Sequence, residues 1–387
     1  MIILFFAYCI LYLSFRSKMK CKNMCYLATV LFSLLGFLYI PSEGADLNLR
    51  FRVLDEIKNN GFGVLNADLY WSGEYGFKYF LLLVSKFPYN NFLPFFSALI
   101  GYSFVSATVL KIGKRFSLSN IKKKEILFCT LCFVNFDSMV NGIRNQLAAS
   151  ILVFFLSVYI LENKHRLLCY FAFVLCITIH PACIIPVAVF IVSRFMKQKK
   201  IRFVVLLFAL WPIMITAILY VFSKMGNIPI IYTIYRLLFD YTLNENATHN
   251  IVPNLYYAVR MVVRTQSISG ILLCALYMKN HYANSINYII SEKRIDYQHV
   301  YVFIFALSAV MAGALGTYHV FLRIALFILS FAPVILGLYF SCTREKAILC
   351  INDKLQISYI SICAVLSLAY NLVAYVNQIH FGFILIK

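Results

Sequence analysis

Residues 144–161 read RNQLAASILVFFLSVYIL, an arginine, an asparagine and a glutamine followed by fifteen residues without a charge. A helix of that length rises about 27 Å at ~1.5 Å per residue, close to the ~30 Å of hydrocarbon in a bilayer. The block therefore reads as a membrane helix with a polar group at one end. Apolar blocks of about 16 to 22 residues recur on both sides of it, and no stretch shows the alternation of a membrane β-barrel. Helices are expected near 1–15, 24–41, 92–110, 126–141, 144–161, 166–180, 181–195, 203–223, 267–279, 300–316, 320–342 and 357–377.

Composition points the same way. Hydrophobic residues make up 62% of the 387 positions and charged residues 13%, which a water-soluble globule of this size could not place on its surface. The expected fold class is an all-α, polytopic membrane helix bundle with about 10–12 transmembrane helices. No linker, repeat or low-complexity run divides the chain, so 1–387 reads as a single membrane domain. The first block lacks a basic start and a small-residue cleavage site, and is read as a span rather than a signal peptide.

A formal charge of +20 would suggest nucleic acid in a soluble protein. Here 23 of the 35 basic residues sit in six short tracts between apolar blocks, at 16–23, 111–125, 162–166, 194–202, 279–299 and 343–356. Their placement is topological: the positive-inside rule puts these tracts in the cytoplasm and both termini outside. Nine of the fifteen acidic residues fall on the outer side, and no nucleic-acid partner is expected. The twelve cysteines lie almost entirely in spans or cytoplasmic tracts, and the Cys129–Cys132 pair reads as apolar packing within a helix. Nucleotide-binding, dinucleotide-binding, metalloprotease and serine-hydrolase signatures are missing, as is a convincing metal ligand set, so neither cofactor nor metal is expected.

Two outer segments stand out, 42–91 and 224–266. In the first, Phe77 to Phe87 is too short to span and contains two lysines, which suits an interfacial or re-entrant helix. In the second, Tyr256, Arg260 and Arg264 recur every four residues and share one helical face. Between basic tracts, the chain must go out and back in about 36 residues and then in about 30. Hairpins that short predict outer turns below the membrane surface, and hence a cavity with Asn141, Arg144, Gln146 and His180 at its floor or walls.

Each polar candidate has a plain alternative. Arg144 at membrane depth costs ~2.5–3.5 kcal/mol and suits a phosphate contact, or else snorkels to the interface. His180, before Pro181, is placed to accept a hydroxyl proton, or is simply a satisfied histidine at a helix turn. Arg323 with His319 one turn earlier offers a second phosphate contact, where Arg323 alone would be explained by snorkelling. Arg260 and Arg264 suit capture of an anionic head group and Tyr256 stacking on a sugar, although such residues also populate ordinary membrane interfaces. Asp46 and Glu74 are candidate bases or hydroxyl acceptors, or solvated carboxylates.

Taken in order, GADLNLRF at 44–51 with EYGF at 74–77, NGIRNQLAAS at 141–150, IHPACIIP at 179–186 and HVFLRIALF at 319–327 resemble the landmarks of the EpsG/Wzy family. Its members are polytopic polymerases of O-antigen and exopolysaccharide repeat units, and the resemblance covers roughly Asp46 to Phe340. It implies a GT-C-like bundle in a bacterial cytoplasmic membrane that moves a growing glycan from one polyprenyl pyrophosphate to the non-reducing end of a lipid-linked repeat unit. The implied partners are polyprenyl-pyrophosphate-linked glycans, membrane lipid and a chain-length regulator protein.

Carried over, the pattern falls on Asp46, Glu74, Arg144, Gln146, His180 and Arg323. It departs from the family at Gly44-Ala45-Asp46, where Gly-Thr/Ser-Asp is common, and at His180-Pro181, where His-Ser is common. The implied roles give Arg144 and Arg323 to the pyrophosphate, His180 or an outer carboxylate to deprotonation of the acceptor, and Arg260 and Arg264 to capture. The remaining polar candidates, Asn141, Gln146, Tyr256 and His319, are expected to bind substrate. Two other readings stay open, a flippase or transporter of lipid-linked oligosaccharide and an O-antigen ligase. The absence of internal symmetry weighs against a transporter.

Overall fold

The computed structural model describes residues 2–41, 45–61, 63, 74–134, 136–162, 165–195, 210–224, 255–281, 297–314, 318–343, 351–374 and 380–381. Within them the chain is helical: α1 (Ile2–Arg16), α2 (Cys21–Phe37), α3 (Asp46–Asn60), α4 (Tyr75–Val84), α5 (Phe92–Arg115), α6 (Asn120–Phe133), α7 (Phe136–Val140), α8 (Ile143–Glu162), α9 (Arg166–Ile179), α10 (Ile184–Phe195), α11 (Trp211–Lys224), α12 (Leu255–His281), α13 (Tyr297–Gly313), α14 (Tyr318–Ser330), α15 (Ala332–Cys342) and α16 (Ile351–Ala374). The sole β pairing among the described residues is a two-residue antiparallel ladder, Tyr39–Ile40 with His380–Phe381. Five helices are long and apolar enough to cross a membrane: Phe92–Arg115, Ile143–Glu162, Val259–Asn280, His319–Cys342 and Asn352–Leu372. The protein is an all-α bundle of membrane-helix character.

The centre of the bundle is α8, which buries Leu147 to Val153 and Leu156 to Leu161 almost without interruption. A helix apolar on every side has no solvent-facing stripe to offer, and is stable only when surrounded. It is enclosed by α5, α9 and α14, while α2 packs along the other side of α5. The α14–α15 pair is equally enclosed.

The expected spans are modified in three places. The span near 126–141 is broken, since the chain leaves α6 at Val134 in an extended conformation and resumes as the single turn α7. Asn, Asp and Ser compete for backbone hydrogen bonds and favour caps over helix interiors, and residues 135–138 supply all three. The span near 320–342 is interrupted at Phe331, where Pro333 cannot donate to the carbonyl of Leu329 and its ring crowds the preceding turn. The helix expected near 267–279 begins twelve residues earlier, at Leu255, continuing the four-residue recurrence of Tyr256, Arg260 and Arg264. Part of the span near 203–223, and residues 225–254 of the second outer segment, lie outside the described residues.

Residues Phe77 to Phe87 form the short helix expected of them, α4. It buries Phe77, Lys78, Leu81 and Val84 and packs on α9, leaving Tyr75, Tyr79 and Leu83 exposed. Cys132 is buried and Cys129 half-buried in the apolar core, and the eleven described cysteines are all free thiols.

Candidate functional site

A cavity of about 310 Å3 opens where α3, α7, α8, α12 and α14 meet His180. Its floor is the α7–α8 turn, contributing Asp137, Ser138, Asn141 and Gly142, then Arg144 and Asn145 from the first turn of α8. One wall is α14, whose His319, Leu322, Arg323 and Leu326 line the space at the i, i+3, i+4 and i+7 spacing of a single helical face. Arg260 of α12 stands beside that wall.

The floor is held from outside. Ser97 donates to the carbonyl of Met139 at 2.8 Å, fixing α7 on α5, and the Tyr39 hydroxyl donates to Asp137 Oδ1 at 3.1 Å. Asn141 Oδ1 accepts the backbone N–H of Leu47 at 3.0 Å, capping the first turn of α3. That bond fixes Asp46 at the cavity edge, on a helix N-terminus where a carboxylate is favoured.

Behind the floor lies a network of alternating charge. Arg144 Nη1 donates to both oxygens of Glu74, at 2.7 and 2.6 Å, and Nη2 lies 3.8 Å from Asp46 Oδ2. Asp46 in turn takes Arg50 Nη2 at 2.9 Å, and Arg50 is buried. His180 Nδ1 stands 3.6 Å from Glu74 Oε1, within reach of its charge but long for a hydrogen bond, while the ring also lines the cavity. Burial works to raise the Glu74 carboxyl, but His180 and the Arg144 guanidinium overcome it and hold the group down at about 2. Glu74 is therefore an anion that neutralises a buried arginine.

Local sequence explains how Glu74 reaches this position. It ends the loop before α4, and α4 presses its first turn against the end of α9 through Gly76. A Cβ on Gly76 would sit 2.7 Å from Thr178 Oγ1 and 3.2 Å from the backbone nitrogen of Ile179, the residue before His180. Pro181 forces His180 into the extended conformation, with φ −149° and ψ 115°, which ends α9 and turns the imidazole off the helix axis. The EYGF and IHP elements thus meet in space.

No family model, curated protein or solved structure matches this chain. The site rests on its own geometry.

Of the candidates read from sequence, Asp46, Asn141, Arg144, His180, Arg260, His319 and Arg323 come together around the cavity. Glu74 stands one layer behind them. Two candidates are placed elsewhere. Gln146 is fully buried and donates through Nε2 to Ser330 Oγ at 3.0 Å, joining α8 to α14 at the Phe331 break. Arg264 is buried one turn beyond Arg260 and does not line the cavity. The side chain of Tyr256 lies outside the described residues. Asp137, Ser138, Asn145 and Arg50 were not singled out as site residues. The signal for Asp137 and Ser138 was their place in the turn of a hairpin too short to surface; Arg50 lay four residues from Asp46, a helical pair spacing. Among the described residues there is no cluster of metal-ligating side chains.

Proposed function

We propose that the protein is a polymerase of polyprenyl-pyrophosphate-linked repeat units, with a GT-C-like bundle acting on the outer face of a bacterial cytoplasmic membrane. The observation that carries this reading is a cavity inside an apolar bundle lined by three arginines and a histidine that stands against a carboxylate. A pyrophosphate leaving group needs fixed positive charge, and guanidinium forks in a partly dry cavity supply it at low effective dielectric.

The roles divide by where each group stands in the cavity. Arg144 is engaged by Glu74 and Asp46, so it positions that corner of the site and adds a field rather than a dedicated phosphate clamp. The charge of the pyrophosphate falls first to Arg323 and Arg260 on the opposite wall, with His319 beside them. His180, with Nδ1 toward Glu74, presents the remainder of its ring to the cavity. The acceptor hydroxyl oxygen attacks the anomeric carbon, the carbon–oxygen bond to the pyrophosphate breaks, and the hydroxyl proton passes to His180. Glu74 stabilises the resulting imidazolium.

In cells carrying the lipid-linked repeat unit, Arg323→Ala is expected to leave the protein in the membrane at normal abundance and to limit surface glycan to one repeat unit. Long chains at wild-type level in that variant would sink the assignment. Repeat units accumulating on the inner rather than the outer leaflet would identify a flippase, and long glycan left on its lipid carrier would identify a ligase.

A further inference from the structure

The cavity is chemically two-sided. Its α12–α14 wall carries Arg260, His319 and Arg323, whereas its α7–α8 floor carries Asp137 and Ser138, with Asn145 beside them and Arg144 turned to Glu74 and Asp46. Asp137 is a buried carboxylate on a single helical turn inside an apolar bundle, a placement whose cost normally marks a functional group. One of its oxygens takes the Tyr39 hydroxyl at 3.1 Å, and the residue also lines the cavity. A carboxylate repels a phosphate and accepts from hydroxyls, and a serine hydroxyl and an asparagine amide beside it both donate and accept. At Asp137 and Ser138 the floor therefore suits a polyhydroxyl group better than an anion. The wall does the reverse.

We propose that Asp137, with Ser138, forms a sugar-hydroxyl subsite that fixes which way round the lipid-linked glycan lies and which first sugar is accepted. This rests on the polymerase reading of the same cavity. The pyrophosphate lies against Arg323 and Arg260, and the sugar next to it lies over the α7–α8 turn. Asp137 is in this sense a specificity-determining residue, distinct from His180, which takes the proton.

The test is binding to the full-length protein in nanodiscs. The probes are polyprenyl pyrophosphate alone and the same lipid carrying one hexose, one N-acetylhexosamine or one 6-deoxyhexose. The wild type is expected to bind at least one sugar-bearing lipid about tenfold more tightly than the bare pyrophosphate, the order of one or two good hydrogen bonds. Asp137→Asn, which keeps an acceptor for Tyr39, should reduce that ratio to about twofold or less while the bare lipid binds within twofold of wild type. Arg323→Gln should weaken both lipids together and leave the ratio intact. Ser138→Ala, a change too small to threaten folding, should lower the ratio in the same direction by a few-fold.

An Asp137→Asn protein that is folded and keeps the full sugar preference overturns the proposal. A wild type with no preference for any sugar-bearing lipid overturns it too, while leaving the polymerase reading in place. A wild type that binds neither kind of lipid overturns the polymerase reading and this proposal with it. Should Asp137→Asn not fold, an unchanged ratio in Ser138→Ala overturns the proposal.

Discussion

The Glu74–Arg144 pair offers a measurement that decides whether the network behind the cavity is a structural support. The contact distances are 2.6 and 2.7 Å with Glu74 only 4% exposed, so the Coulomb attraction is about 6 kcal/mol at an effective dielectric of ~20, before desolvation removes part of it. The carboxyl gives a second figure: depression from 4.5 to about 2 corresponds to about 3 kcal/mol of preference for the anion in the folded state. Part of that preference belongs to His180, so a double-mutant cycle of Glu74→Gln, Arg144→Gln and the double variant, followed by reversible unfolding in detergent at pH 7, is expected to give a coupling of about 1–3 kcal/mol, with the double variant less damaged than the sum of the singles.

The pH dependence has a definite sign. A carboxylate whose folded value is depressed stabilises fully above its unfolded value and loses that contribution as pH falls toward the folded value. Between about 4.5 and about 2 the wild type should therefore lose stability, with about 2 kcal/mol gone by pH 3, and Glu74→Gln should be flat over the same window. A coupling under about 0.5 kcal/mol, or parallel pH profiles for the two proteins, would refute the view that this buried pair holds the site together.

Two further outcomes follow from contacts at single residues. Gly76→Ala should shift α4 on the end of α9, because the added methyl meets Thr178 Oγ1 at 2.7 Å and crowds Ile179 behind it, and it should lower turnover several-fold while costing only about 1–2 kcal/mol of stability, read by glycan synthesis beside thermal unfolding. Gln146→Leu should keep glycan length unchanged and shift stability by no more than about 1 kcal/mol, since Ser330 retains its own bond to the Leu326 carbonyl; loss of polymer in a stable Gln146→Leu protein would return Gln146 to the site.

The helical class and the meeting of the two outer turns at one cavity were legible because both follow from lengths: the apolar blocks match a bilayer, and the segments between basic tracts are short. Periodicity extended that reading to the α12 start, since Tyr256, Arg260 and Arg264 already recurred at helical spacing. The partnerships were not legible. Glu74 and Arg144 are 70 residues apart, and nothing in either local sequence states that one neutralises the other. Gln146 follows Arg144 by two residues and was grouped with it, yet residues two apart point away from each other on a helix, and its partner Ser330 lies 184 residues on. Asp137 was visible only as one acidic residue among nine, because its value comes from the α6–α7 break that turns it inward. Pro333 announced the interruption of the late helix, and the surrounding hydrophobicity masked it.

That interruption sets the direction of α14 apart from that of α15. The break is at Phe331, and Gln146 ties the neighbouring Ser330 to the central helix α8. Arg323 stands eight residues from that break, about 12 Å at ~1.5 Å per residue, and a difference of ~10° in the direction of α14 corresponds to about 2 Å there. Displacements of that size are comparable with those that separate a productive ion contact from an idle one. The direction that α14 takes from Phe331 therefore sets where the charge of Arg323 falls on the cavity wall.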